Sequence, residues 1–254
     1  MSDEVLVDVD GGVAVVTINR PKARNAVNGA VAQGVAAALD EFDERKDVSA
    51  IVITGAGGTF CAGMDLKGFL TGENPMAGGR GFGGITQKPP AKPVIAAVEG
   101  YALAGGCEIA LACDMIVASS EAKFGIPEVK RSLVAGAGGL LRLPKRIPYH
   151  IAMEMALTGD HYPAARMAEL GLVNRLTEPG EALATAKELA LRIAENGPLA
   201  LLATKRVIVE SADWSSDEAF EKQGEIINPV FGSKDAAEGA TAFAEKRKPV
   251  WKGE

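Results

Sequence analysis

Val5, Val7 and Val9 alternate with acidic positions, and Gly11-Gly12 then turns the chain into the apolar run Val13 to Ile18. That pattern predicts a hairpin opening a sheet. A polar stretch, NRPKARNAVN (Asn19 to Asn28), ends the strand and forms a loop carrying Arg20, Lys22 and Arg24. From Val31 the apolar positions Val31, Val35, Leu39 and Phe42 recur at helical spacing, predicting a helix to about Arg45. Ala50 to Thr54 is a short apolar run and predicts a second buried strand. Strand, helix, strand in that order implies a right-handed crossover.

Glycine dominates the next part of the chain. Gly55 to Phe69 matches neither GxxxxGK[ST] nor GxGxxG, so it is no nucleotide loop of those kinds; backbone N–H groups around Gly63 and Met64 are left open to a ligand. Leu70 to Lys88, with Pro75 and GGRGFGGI (Gly78 to Ile85), predicts a mobile loop or flap. Val94 to Ala118 then reads as a buried strand (Val94 to Val98), a turn through Glu99, Gly100 and Tyr101, a short helix from about Ala104, and another buried strand from Met115. Phe124 and Gly125 predict a short edge strand. A second glycine cluster (Gly136, Gly138, Gly139) precedes a helix through Leu140, Leu141 and Leu143. From Tyr149 onward the pattern is nearly all helix: His150 to Leu157, Pro163 to Leu170, Glu181 to Asn196, Pro198 to Ser211, Asp217 to Ile227 and Ala236 to Lys248. Lys246, Arg247 and Lys248 suit the negative end of the last helix.

In this pattern Glu108 stands out, a carboxylate on an Ala-, Leu- and Cys-rich segment. Removed from water, it requires a partner, a change of protonation or a catalytic task. Gly105 and Gly106 at the helix start let a ligand approach first-turn N–H groups that have no intrahelical acceptor, an arrangement suited to an oxyanion. A helix packed through its glycines, with Glu108 in a structural ion pair, accounts for the same residues. Glu128, after Pro127, reads on its own as a solvated loop acid.

The bulk properties narrow the chemistry. The 254 residues are 47% hydrophobic and 24% charged, which fits a globular protein with a full core. A net charge of −6 argues against a broad nucleic-acid footprint, and the lone Arg80 of GGRGFGGI does not make an RNA-binding segment. An anionic ligand must therefore meet local positive charge. No run reaches the roughly 18 apolar residues of a membrane span, and MSDEVLVDVD resembles no signal peptide, so a cytoplasmic protein is expected. Cys61, Cys107 and Cys113 are too few for a disulfide framework or zinc site, and with only His150 and His161 besides, neither a metal centre nor a His-based triad is expected. Carboxylate chemistry is the better fit.

Three stretches taken together, FCAGMDLK (Phe60 to Lys67), GYALAGGCEIALACD (Gly100 to Asp114) and FGIPEVKRSLVAGAGGLLRLP (Phe124 to Pro144), resemble the enoyl-CoA hydratase/isomerase family, the crotonase superfamily. NRPKARNAVN and AFAEKRKPVWKG resemble that family's usual ends, so the likeness covers almost the whole chain. The resemblance implies an α/β fold, a crotonase-like spiral of ββα units (1–195) followed by a C-terminal helical trimerisation region (196–254), assembled as homotrimers or hexamers. It implies enolate stabilisation by the N–H groups of Met64 and Gly105, and hydratase glutamates at Glu108 and Glu128. Gly136 occupies the place of a glycine whose backbone positions the reacting water, preceded by Ala135 where many hydratases have Pro. The coenzyme A moiety, part of the substrate rather than a separate cofactor, would meet backbone near Ala26 and in the Ala62 to Met64 stretch. Arg24 and Lys67 would face its phosphates, and Phe243 and Lys246 would reach it from a neighbouring subunit. Met64 is bulkier than the residue many fatty-acid hydratases carry there, which reshapes the acyl pocket. LRLPKRIP and FAEKRKPVWKG are also close to carnitinyl-CoA dehydratase. A hydratase adding water to a 2-enoyl-CoA is thus expected, with a carnitinyl-CoA dehydratase, a Δ3,Δ2-enoyl-CoA isomerase and a non-catalytic acyl-CoA binder as alternatives.

Overall fold

The computed structural model describes residues 3–254. The opening hairpin forms as its alternation requires: β1 (Val5–Asp10) pairs antiparallel with β2 (Val13–Ile18), Val5 opposite Ile18. Helix α1 (Gly29–Glu44) is capped by the Asn28 side chain, which accepts from the Val31 N–H, and it buries Val31, Val35, Leu39 and Phe42. It returns the chain to β3 (Ala50–Gly55), parallel to β2. After α2 (Leu66–Leu70) and the two-residue strands β4 (Met76–Ala77) and β5 (Gly81–Phe82) come β6 (Val94–Val98), β7 (Tyr101–Leu103), α3 (Gly105–Ala112), β8 (Met115–Ser119) and β9 (Lys123–Gly125). A 3-10 turn (Pro127–Arg131) leads to α4 (Gly139–Arg146) and α5 (Tyr149–Thr158). There follow β10 (Tyr162–Pro163), α6 (Ala164–Glu169), β11 (Arg175–Thr177) and the helices α7 (Ala182–Ala194), α8 (Pro198–Glu210), α9 (Ala219–Phe231) and α10 (Lys234–Glu245).

The main sheet runs β1-β2-β3-β6-β8-β11, mixed in sense because only the first pair is antiparallel. Its two faces sort the strand residues. Val13, Val15, Ala50, Val52, Ile95, Ala97 and Val117 face α7, whose Ala182, Ala186 and Ala190 recur every four residues and let the helix lie close. Val16, Ile18, Ile51, Ile53, Ala96 and Ile116 face the larger core shared with α1 and α3. Strands buried on both faces read as unbroken apolar runs, and so β3, β6 and β8 are visible without alternation.

Four sequence expectations need correction. Tyr101 is not in a turn: with Ala102 and Leu103 it forms β7, in a second sheet ordered β10-β9-β7. Phe124 therefore lies on the middle strand of that sheet rather than at an edge. The region after Tyr149 holds the short strands β10 and β11, too brief for a periodic signal. The glycine-rich segment is not a free flap. From Arg80 to Thr86 it is buried, and Arg80, 3% exposed, donates to Asp40 and Asp43 on α1 and to the Lys88 carbonyl. Gly84 fits there because an added Cβ would lie 2.4 Å from the Ala32 carbonyl oxygen of the same helix. Among the described residues no helix is long and apolar enough to cross a membrane.

Candidate active site

The strip from Phe60 to Asp65 is held from both sides. On one side Phe60 N–H donates to Glu99 O, Cys61 N–H to Tyr101 O, and Leu103 N–H back to Cys61 O. On the other, Ala62 N–H donates to Arg24 O, Val27 N–H to Gly63 O, and Asp65 N–H to Val27 O. Gly63 N–H turns onto the Cys61 sulfur at 3.4 Å. The Met64 N–H is left with no acceptor among the described residues. Beside it starts α3. Ala104, just before the helix, has φ 52° and ψ −129°, a conformation costing a non-glycine residue about 1–3 kcal/mol. It is fixed by its N–H bond to Gly125 O on β9. The Gly105 N–H, in the first turn, has no intrahelical acceptor. The two segments abut through glycine: a Cβ on Gly63 would lie 2.8 Å from Ala104 Cβ and 3.3 Å from Gly105 N. A Cβ on Gly106 would lie 2.1 Å from the Cys61 carbonyl oxygen, and one on Gly105 would strike the Phe82 ring at 2.4 Å. Gly63 and Gly106 cannot be replaced without separating the Met64 strip from the start of α3, nor Gly105 without displacing the Phe82 ring.

One turn along α3, Glu108 is 3% exposed, and its Oε1 accepts two backbone N–H bonds, from Ala137 at 2.7 Å and Gly139 at 2.8 Å. Burial holds its pKa above the ordinary carboxylate value, and the two donors and, least of these, the Arg142 charge oppose that rise only in part. Glu128, in the 3-10 turn, has no such support. Its Oε2 is buried without a hydrogen-bond partner among the described residues. Burial and, to a lesser degree, the neighbouring Glu108 charge push its pKa up to about 7 against one opposing hydrogen bond from its own backbone. Two carboxyl groups thus share one region in different environments, the arrangement that separates an acid from a base. Among the described residues no ion pair accounts for Glu108: its hydrogen bonds come from backbone.

The remaining expected residues fall into three groups. Ala26, Ala62 and Arg24 lie along the strip that carries Met64, with Arg24 exposed, and Lys67 is exposed on α2. Gly136 is exposed in the loop just before the two N–H donors to Glu108. Phe243, 87% exposed, and Lys246, the left-handed cap of α10, stand on a helix that packs chiefly on α9, not on the site's own elements. Arg20 is occupied internally, pairing Glu4 and Asp65. Among the described residues no group of three or more His, Cys, Asp and Glu side chains is placed to hold a metal ion. Sequence reasoning missed the Ala137 and Gly139 donors, Phe82 beneath Gly105, and Arg142. The first could have been suspected from the Gly138-Gly139 pair; the other two come from packing that no local pattern encodes.

Comparison with known proteins gives the family. The enoyl-CoA hydratase/isomerase family profile matches residues 8–254. A crystal structure of enoyl-CoA hydratase from Mycobacterium tuberculosis H37Rv superposes with a TM-score of 0.98 at 61% identity, covering 100% of both chains. Enoyl-CoA hydratase EchA19 of M. tuberculosis is 44% identical over 253 residues, 97% of this chain and 95% of that protein. Carnitinyl-CoA dehydratase of Proteus mirabilis is 40% identical over 261 residues, 100% of each. The chain therefore belongs to the enoyl-CoA hydratase/isomerase family, the crotonase superfamily, whose enzymes act as hydro-lyases and isomerases on acyl-CoA thioesters.

Proposed function

We propose that the protein is an enoyl-CoA hydratase, adding water reversibly across the 2,3 double bond of a 2-enoyl-CoA to give a 3-hydroxyacyl-CoA. The observation that carries this reading is the unequal pair of glutamates beside two backbone N–H groups that have no acceptor among the described residues. Glu108, held by two N–H bonds, is the base: it takes a proton from water as the water oxygen bonds to C3. The π electrons move onto the thioester oxygen, and the enolate is held by Met64 and Gly105 N–H, donors each worth about 10²–10³ in rate when aimed at developing charge. Glu128, protonated near neutrality, gives its proton to C2 as the carbonyl re-forms. The proton taken by Glu108 and the one lost by Glu128 are balanced by exchange before the next turnover. Gly136 borders the water's position.

Arg24 and Lys67 provide exposed positive charge for the coenzyme A phosphates, with Ala26, Ala62 and Met64 offering backbone to its adenine. Phe243 and Lys246, exposed on and at the end of α10, contact the ligand of a neighbouring copy in a homotrimer or a hexamer. A second reading, carnitinyl-CoA dehydratase, is favoured by the end-to-end 40% identity to the Proteus mirabilis enzyme. The test is the loss of conjugated-thioester absorbance on crotonyl-CoA, longer enoyl-CoAs and crotonobetainyl-CoA, with wild type, Glu108→Ala and Glu128→Ala. No absorbance loss in wild type, or full activity in both variants, refutes the hydratase. Activity confined to crotonobetainyl-CoA selects the second reading, and isomerase activity surviving in one variant alone selects a Δ3,Δ2-isomerase.

A further inference from the structure

Arg142 lies on α4, one turn after the loop that grips Glu108. Its backbone N–H donates to Gly138 O at 3.0 Å, and its Nη2 donates to the Thr86 carbonyl at 2.6 Å. The guanidinium fits against Gly138, where a Cβ would lie 2.2 Å from Nη1 and where φ is +101°. Gly138 sits between the two donors to Glu108, Ala137 and Gly139. The segment ending at Thr86 carries Phe82, the ring beneath Gly105, and Thr86 N–H donates to Phe82 O at 3.3 Å. One side chain therefore ties the turn holding Glu108 to the segment supporting the first turn of α3. Arg142 is half-buried, its side chain's hydrogen bond goes to a carbonyl, and the carboxylate whose charge acts on it is Glu108.

From this geometry we propose that Arg142 is the positioning residue that holds Glu108 oriented as the base, fastening the Ala137–Gly139 donor turn to Thr86. The assignment rests on the hydratase reading for its catalytic consequence only. The other titratable groups facing this cluster are Glu128 from the 3-10 turn and Cys107 on α3, whose thiol burial pushes up to about 12 and so keeps neutral; Arg146 and Cys113 act on Arg142 itself.

The experiment follows the pH dependence of kcat/KM for hydration in wild type, Arg142→Gln and Arg142→Lys. In parallel, the carboxyl infrared bands of the free proteins are titrated, with Glu108 assigned by its loss in Glu108→Gln. In Arg142→Gln the acid limb should move up by about one pH unit, because the donor turn that lowers the Glu108 pKa loosens and a positive charge acting in the same direction is lost. The alkaline limb from Glu128 should stay in place, and Arg142→Lys should restore the acid limb. An unmoved limb with a uniform loss at every pH, or a limb that Arg142→Lys does not restore, overturns the proposal. So does a wild-type titration in which Glu108 protonates above Glu128, a result that needs no variant to fold. If wild type hydrates none of the thioesters, the hydratase reading fails while the infrared titration still decides Arg142.

Discussion

Gly106→Ala is the sharpest probe of how this site is assembled. The new methyl would lie 2.1 Å from the Cys61 carbonyl oxygen, 2.7 Å from its carbonyl carbon and 2.9 Å from its Cβ, where ordinary contact begins at 3.4 Å. Two of the three obstacles are backbone, held by the Cys61 and Leu103 hydrogen bonds, so no side-chain rotation relieves the overlap. Either α3 or the Cys61 strip must retreat by roughly 1 Å, which moves the Gly105 and Met64 N–H groups apart. A misplacement of about 1 Å is enough to cost on the order of 10²-fold in rate, and the overpacking itself about 1–3 kcal/mol of stability. The assay is steady-state hydration with thermal and denaturant melts. Gly224→Ala serves as the control: on α9, the added methyl meets only Asn228 Nδ2 at 3.6 Å, and replacing a helical glycine should stabilise by roughly 0.5–1 kcal/mol without lowering kcat. A folded Gly106→Ala variant retaining kcat within threefold of wild type would refute the claim that the two N–H groups are held in register by this contact.

The same geometry sets other outcomes. The kcat/KM profile should be bell-shaped, rising as Glu108 ionises and falling near pH 7 as Glu128 loses its proton, and Glu128→Gln should abolish turnover rather than shift the profile. Because the Glu128 pKa is raised by folding, its contribution to stability is complete below its ordinary value near 4.5 and is lost as pH rises through about 7. Glu128→Gln should therefore melt higher than wild type at pH 8 and alongside it at pH 4, as measured by scanning calorimetry; equal melting at pH 8 would count against a raised pKa. Arg80→Ala should destabilise by about 1–3 kcal/mol in urea titrations, since it leaves Asp43 and the Lys88 carbonyl without their buried donor while Asp40 stays in water. An unchanged midpoint would show that the segment is not anchored through Arg80.

How much of the molecule is legible in its sequence depends on the range of the interactions involved. The apolar runs at Val13, Ala50, Val94 and Met115 and the helical spacing from Val31 determined the main strands and α1, because period and burial are written in consecutive residues. Glu108 on an apolar helix behind two glycines marked the candidate site for the same reason, and the spaced motifs sufficed for the family. The sequence could not say that Tyr101 to Leu103 join a second sheet, since three residues carry no period and the partner, β9, is some twenty residues on. Nor could it reveal that GGRGFGGI is buried: its glycines look like freedom locally, and become close packing only because Arg80 finds Asp40 and Asp43 on α1. The inequality of the two glutamates also belongs to the tertiary structure alone. Glu108 and Glu128 are the same residue type, and only the folded chain supplies two N–H donors to the first and, among the described residues, leaves a buried oxygen of the second without one.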